Sequence, residues 1–272
     1  MSGPARPPDG DWLGTPFLRF ERRGSLAHLI VDRPEARNAL TPAMYFGIRY
    51  AIDLLNRSPE LVGLLITGTG DVFIPGGDLG GNPVDAWSPA LGLLGMDLTP
   101  FESVRNSPKP IVSAVNGICQ GGGLLIAMLS DVAVAVSSAT FRAPEVFRGI
   151  ADTGYAQYLP NQIGPARARD MLLTGRTVDA RTAEAWGLIS RLASSDDALL
   201  EEAEDALRRI AWGAPQARTV IKREINRGYG RPDRQSMEIS LASEEREEGW
   251  RAFAERRAPR WIPEDIRPDH RL

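Results

Sequence analysis

The residues that could do chemistry in this sequence are backbone donors and carboxylates rather than the common nucleophiles. Two histidines occur, His28 inside an apolar run and His270 near the C-terminal end. Neither is spaced to serve a serine nucleophile, and no Gly-x-Ser-x-Gly elbow is present. His28 reads as a core or lining histidine. No metal-ligand spacing and no phosphate loop ending in Lys-Ser/Thr occurs, so no metal is expected. What remains are two glycine-rich turns. Gly121-Gly122-Gly123 lies between a strand break and the apolar run 124–129. Glycines there let the backbone approach a ligand closely, and N–H groups at a helix start have no internal acceptor and are backed by the helix dipole. That is what stabilising a developing oxyanion requires. Ile74-Pro75-Gly76-Gly77-Asp78-Leu79 forms the second turn; Pro75 has no N–H, so a donor must come from Gly76 or Gly77. Either turn alone reads equally well as tight packing. Two donor turns on separate segments are what a two-point oxyanion hole needs.

The elements that would position these turns follow from periodicity and punctuation. The run 26–31 predicts a buried strand ending at Asp32-Arg33-Pro34. Thr41-Pro42 supplies an N-cap and a first-turn proline, and Met44, Ile48, Ala51, Ile52 and Leu55 then share one helical face. A second strand is expected over 61–67, closed by Gly68-Thr69-Gly70-Asp71. Residues 80–100, with several Gly and Pro, read as a mobile loop or a broken helix. A third strand over 111–115 breaks at Asn116-Gly117, the triple glycine opens a helix to about residue 130, and 132–136 predicts another strand. Two successive units of strand, glycine turn and helix imply α/β layering. The missing Gly-x-Gly-x-x-Gly fingerprint argues against a dinucleotide fold. From about residue 166 helices dominate: 166–173, 180–185, 196–212, 215–227 and 233–256. The last carries Met237, Leu241, Trp250 and Phe253, and suits packing on another subunit or on its own core equally.

Composition bounds the partners. The chain has 272 residues, 43% hydrophobic and 25% charged, with formal net charge -3 and pI near 5.6. No global basic field exists, so nucleic acid is not expected. One cysteine, Cys119, excludes an internal disulfide framework. The first ten residues lack the apolar core of a secretory signal, and no apolar run is long enough to cross a bilayer, so a cytoplasmic protein without membrane partners is expected.

The order of segments resembles the enoyl-CoA hydratase/isomerase (crotonase) superfamily over roughly residues 17–257. Arg33-Pro34-Glu35-Ala36-Arg37-Asn38-Ala39-Leu40 looks like its first motif. Phe73-Ile74-Pro75-Gly76-Gly77-Asp78-Leu79 is similar to the family's Phe-x-Ala-Gly-Ala-Asp-Leu turn. Lys109-Pro110-Ile111-Val112-Ser113-Ala114-Val115-Asn116-Gly117, followed by Gly121-Gly122-Gly123, is the most specific match. Leu173-Thr174-Gly175-Arg176 with Ala183-Glu184-Ala185-Trp186-Gly187-Leu188 supports it. The resemblance implies an α/β crotonase-like spiral of repeated β-β-α units with a C-terminal helical trimerisation region. The corresponding divisions are a disordered arm over 1–16, a spiral core over 17–194 and helices over 195–272. It implies a homotrimer or a hexamer made from two trimers. It also implies an acyl-CoA thioester whose carbonyl lies between the N–H groups of Gly77 and Gly122. Coenzyme A then enters as part of the substrate, with no separate cofactor. Further substrate or CoA contacts are implied at Ala36, Arg37, Pro75, Gly76, Asp78, Leu79, Gly121, Leu125, Phe253 and Arg256. A charged, exposed helix end explains the C-terminal arginines as well.

The sequence departs from the hydratases at one of their two water-holding glutamates, where it has Leu125. The second is matched by Glu145 in Ala143-Pro144-Glu145. Asp152, in Gly149-Ile150-Ala151-Asp152-Thr153-Gly154, resembles an aspartate of dienoyl-CoA isomerases, although this loop is one residue shorter. Asp152 also suits a turn or helix cap, and Glu145 a solvated helix start. With Glu145 and Asp152 as the catalytic carboxylates, the expectation is double-bond isomerisation. The alternatives are hydration with one glutamate, a non-catalytic acyl-CoA binder, or another enolate reaction such as decarboxylation or C–C cleavage.

Overall fold

In the computed structural model, residues 12–78 and 99–268 are described. Leu79, most of the 80–100 segment and His270 lie outside the described residues. Strands β1 (Leu18–Arg23) and β2 (Leu26–Val31) form an antiparallel hairpin, and β2 pairs in parallel with β3 (Gly63–Gly68). β5 (Ile111–Val115), β7 (Val132–Ala135) and β10 (Arg191–Leu192) extend this sheet in parallel, in the order β1-β2-β3-β5-β7-β10. The central strands β2, β3 and β5 are mostly apolar and buried nearly end to end because both faces are covered, as parallel sheets require.

A second sheet contains β4 (Val72–Ile74), β6 (Ile118–Gln120), β8 (Thr140–Arg142) and β9 (Val178–Asp179), the first three in parallel. Each turn of chain therefore gives one strand to each sheet: β3 then β4, β5 then β6, β7 then β8. This corrects the simpler strand–turn–helix unit drawn from periodicity. Asn116-Gly117 turns the chain into a second strand, and only then comes the triple glycine. Strands of three residues carry too little alternation to stand out in a sequence.

Helix Gly122–Leu129 packs against β4, β5, β6 and β7, and every residue from Gly123 to Leu129 is buried. A helix apolar on all sides belongs in a core. Helix Leu199–Trp212 is amphipathic instead, burying Leu199, Ala203, Ala206 and Leu207 against β3, β5 and β7. Helix Pro42–Arg57 buries the expected face, and Thr41 caps it by accepting from Met44 N.

Three further expectations change. Within the end of the expected arm, Leu13 is 3% exposed and Thr15 is buried, while Gly14 and Pro16 stay exposed. Helix begins after β8 at Thr153, not near 166, because Asp152 caps Thr153–Ile163 despite Gly154 and Pro160 within it. The single helix expected over 233–256 is two, Arg234–Leu241 and Glu244–Ala254. Ser243 divides them: its hydroxyl donates to Ser240 O at 2.7 Å and accepts from Arg246 N at 3.2 Å, capping the second helix. Among the described residues no helix is long and apolar enough to cross a membrane.

Candidate active site

The first glycine turn is locked from behind. Leu40 N donates to Gly76 O and Asp78 N donates to Leu40 O, both at 2.9 Å, so Gly77 sits in a parallel bridge with its own N–H outside the ladder. Asn38 holds the preceding segment to β4: its Nδ2 donates to Val72 O at 2.7 Å and to Thr69 O at 3.0 Å, and its Oδ1 accepts from Arg33 N at 2.9 Å. Arg33 in turn donates to Asp78 Oδ2 at 2.7 Å.

The second turn touches the first. Gly121 has φ 51 and Gly76 φ 109, both in the region that glycine tolerates best. A β-carbon on Gly121 would lie 3.1 Å from Gly76 Cα and 3.0 Å from Glu145 Oε1. Gly121 O accepts from Leu125 N at 3.2 Å and from the Tyr155 hydroxyl, which pins the start of helix Gly122–Leu129. Gly76 and Gly121 are buried behind the surface, whereas Gly77 is exposed and Gly122 half-buried. Among the described residues nothing accepts from the N–H of Gly77 or Gly122. Two accessible, unpaired donors thus stand on adjoining backbones.

Facing them are two carboxyl groups. Glu145 opens the 3₁₀ turn Glu145–Arg148, and its Oε2 is buried with no hydrogen-bond partner among the described residues. Burial first, and then the charge of Asp152, push its pKa up to about 8. Asp152 Oδ1 accepts from Tyr155 N at 3.1 Å, so it is a helix cap. Burial nevertheless raises its pKa, against the opposing pull of the Tyr155 and Gly154 N–H groups. Capping and proximity to Glu145 coexist in one residue. Leu125, 3% exposed, lines the same corner: the β-position of Gly154 is 3.8 Å from Leu125 Cδ2 and 3.0 Å from Asp152 Oδ1. Two carboxyls raised by desolvation, Glu145 also by the charge of Asp152, thus share this corner.

A family model described as Enoyl-CoA hydratase/isomerase matches residues 21–264. The chain belongs to the enoyl-CoA hydratase/isomerase family. A probable enoyl-CoA hydratase of Rhizobium meliloti (strain 1021) is 32% identical over 248 residues, covering 88% of this chain and 95% of the relative. Among solved structures, an enoyl-CoA hydratase/isomerase from Pseudoalteromonas atlantica T6c is similar with TM-score 0.75 and 30% identity, over 90% of this chain and 100% of that one. A monofunctional enoyl CoA isomerase from M. smegmatis is similar with TM-score 0.66 and 28% identity, over 85% of this chain and 100% of that one. The crotonase fold expected from the motifs is therefore the fold of this chain.

For a family member, the remaining expected contact residues fall in separate places. Pro75 and Gly76 belong to the donor turn, and Ala36 and Arg37 to the short turn before Asn38, with Arg37 exposed at φ 51. Asp78 is engaged by Arg33, so its carboxylate braces the turn. Phe253 lies under the Arg148 guanidinium, 4.2 Å from its ring centroid, beside the Glu145 turn rather than the glycines; Arg256 is exposed past the helix end. Sequence reasoning missed three neighbours. Tyr45 borders both donor glycines, Tyr155 holds Gly121, and Ser240 bridges the loop between the carboxylates, accepting from Ala151 N at 2.7 Å and donating to Gly149 O at 3.2 Å. Nothing in the sequence set Tyr45 apart, because helix Pro42–Arg57 also carries Phe46 and Tyr50.

Proposed function

We propose that this family member isomerises the double bond of an enoyl-CoA thioester. The observation that carries the reading is the half-buried pair Glu145 and Asp152, with Glu145 Oε2 buried beside the Gly121 turn and Leu125 where a hydratase holds water. The Asp152 carboxylate takes a proton from the carbon next to the thioester carbonyl. The freed electron pair moves into the carbonyl, whose oxygen is held by the N–H groups of Gly77 and Gly122. Protonated Glu145 gives its proton to the far carbon of the dienolate, and proton exchange within the pair resets it. Coenzyme A arrives with the substrate, and no separate cofactor enters. Hydration is the second reading, favoured by relatives such as the Rhizobium meliloti protein named a probable enoyl-CoA hydratase.

A panel of 2-enoyl-, 3-enoyl- and 2,4-dienoyl-CoA thioesters followed by mass spectrometry and chromatography separates the two. Products of unchanged mass and altered retention, lost in Glu145→Gln, are expected. Addition of one water to crotonyl-CoA as the main reaction, or full isomerase activity in Glu145→Gln, would defeat the proposal.

The assembly is a homotrimer, alone or paired into a hexamer, in the same reading. It is supported by helices Pro215–Arg227 and Arg234–Leu241, which bury no residue yet carry Val220, Ile221, Ile225 and Ile239 exposed.

A further inference from the structure

Tyr45 lies on helix Pro42–Arg57, five residues beyond Leu40, which brackets Gly77. It is 7% exposed, and its ring meets Phe101 edge-on with centroids 6.1 Å apart and planes at 77°. Its hydroxyl is the atom closest to the β-positions of both donor glycines, apart from their immediate chain neighbours. That hydroxyl is 3.7 Å from the β-position of Gly77. A methyl group on Gly122 would collide with the hydroxyl and lie 2.9 Å from Tyr45 Cε1 and 3.1 Å from Cζ. Gly122 is therefore a glycine because a phenol occupies the space above it.

An oxygen held by both N–H groups must lie within hydrogen-bond reach of each, in the gap between the two glycines. The Tyr45 hydroxyl borders that gap. We propose that Tyr45 is a third donor to the thioester oxygen, its O–H completing the hole formed by Gly77 and Gly122. This rests on the oxyanion-hole reading above. Burial and the charges of Glu145 and Asp152 hold the phenol protonated far above its ordinary range, so the O–H persists wherever the carboxyl pair works. As negative charge develops on the thioester oxygen, a fixed phenolic donor gains more than it does toward the neutral carbonyl. Its effect therefore falls on the rate rather than on CoA binding.

The test uses Tyr45→Phe, which keeps the ring against Phe101 and removes only the hydroxyl. Cinnamoyl-CoA reports carbonyl polarisation as a red shift of its absorbance on binding, and butyryl-CoA in heavy water reports enolate formation as exchange of the α-proton. The variant is expected to melt with the wild type, bind both thioesters comparably, show a smaller red shift and exchange about ten- to a hundredfold more slowly. An unchanged shift and exchange rate in Tyr45→Phe overturns the third donor while leaving the glycine hole intact. A wild type that binds cinnamoyl-CoA with no shift overturns the hole itself, and Tyr45 with it. A wild type that shifts the spectrum without exchange counts against the carboxylate pair, and the spectral comparison still decides Tyr45.

Discussion

At the scale of single residues, the site rests on a contest between burial and hydrogen bonding. Glu145 is pushed up to about 8 by burial and by Asp152, whereas Asp152 keeps N–H partners that favour its ionised form. This difference is what the proposed mechanism uses, with Glu145 as acid and Asp152 as base. Asp152→Asn removes the second cause of the Glu145 shift, so Glu145 should titrate lower in that variant, measured by carbon NMR of the labelled carboxyl. Turnover in the same variant should fall by about two to four orders of magnitude through loss of the base. The sign of the stability effect follows. A carboxyl raised in the folded state stabilises the fold below its unfolded value near 4.5, and that stability is lost as pH climbs through about 8. The urea midpoint should therefore fall between about pH 4.5 and pH 8, and fall less in Glu145→Gln. These roles were only half legible in the residues. A carboxylate after Ala143-Pro144 and another before Thr153-Gly154 can be seen in sequence. Their electrostatic coupling depends on the fold bringing the 3₁₀ turn that opens with Glu145 near the helix that Asp152 caps.

At the scale of elements, short segments carry the geometry. The segment 33–40 is bolted to β4 by Asn38 and to the donor turn by Leu40, and Arg33 pairs with Asp78. This is why Arg33-Pro34-Glu35-Ala36-Arg37-Asn38-Ala39-Leu40 stands out as a motif although most of it touches no reacting atom. The carboxylate loop is held from the other side by helix Arg234–Leu241 through Ser240. Ser240→Ala strips the acceptor from Ala151 N and the donor from Gly149 O, a loss of about 0.5–1.5 kcal/mol for bonds this accessible to water. Its expected signature is a fall in kcat of about threefold or more with KM nearly unchanged, because the loop carries Glu145 and Asp152 rather than the CoA contacts. Equal loss in kcat and stability without any change in the pH profile would mark a structural role alone.

At the scale of the whole molecule, the C-terminal helices do two things. Glu244–Ala254 packs on the 3₁₀ turn that begins with Glu145, while Pro215–Arg227 and Arg234–Leu241 leave apolar side chains on the surface. With Ile225 63% and Ile239 65% exposed, Ile225→Asp should shift the assembly toward monomer in analytical ultracentrifugation while the folded spectrum is kept. An unchanged sedimentation coefficient would show that this face lies outside the interface. The sequence by itself determined the long buried strands, the capped helix after Thr41-Pro42, and the identity of two glycine turns. Each of these is a local matter: apolar run length, a capping hydroxyl, or a backbone without β-carbons. Only the tertiary structure decided that the two turns adjoin and that three-residue strands lead into them. It alone decided that Leu125 borders Asp152 and that Tyr45 stands over Gly122. Such contacts join residues tens of positions apart, so they arise from the pairing of two sheets around the buried helix Gly122–Leu129, which no local pattern encodes.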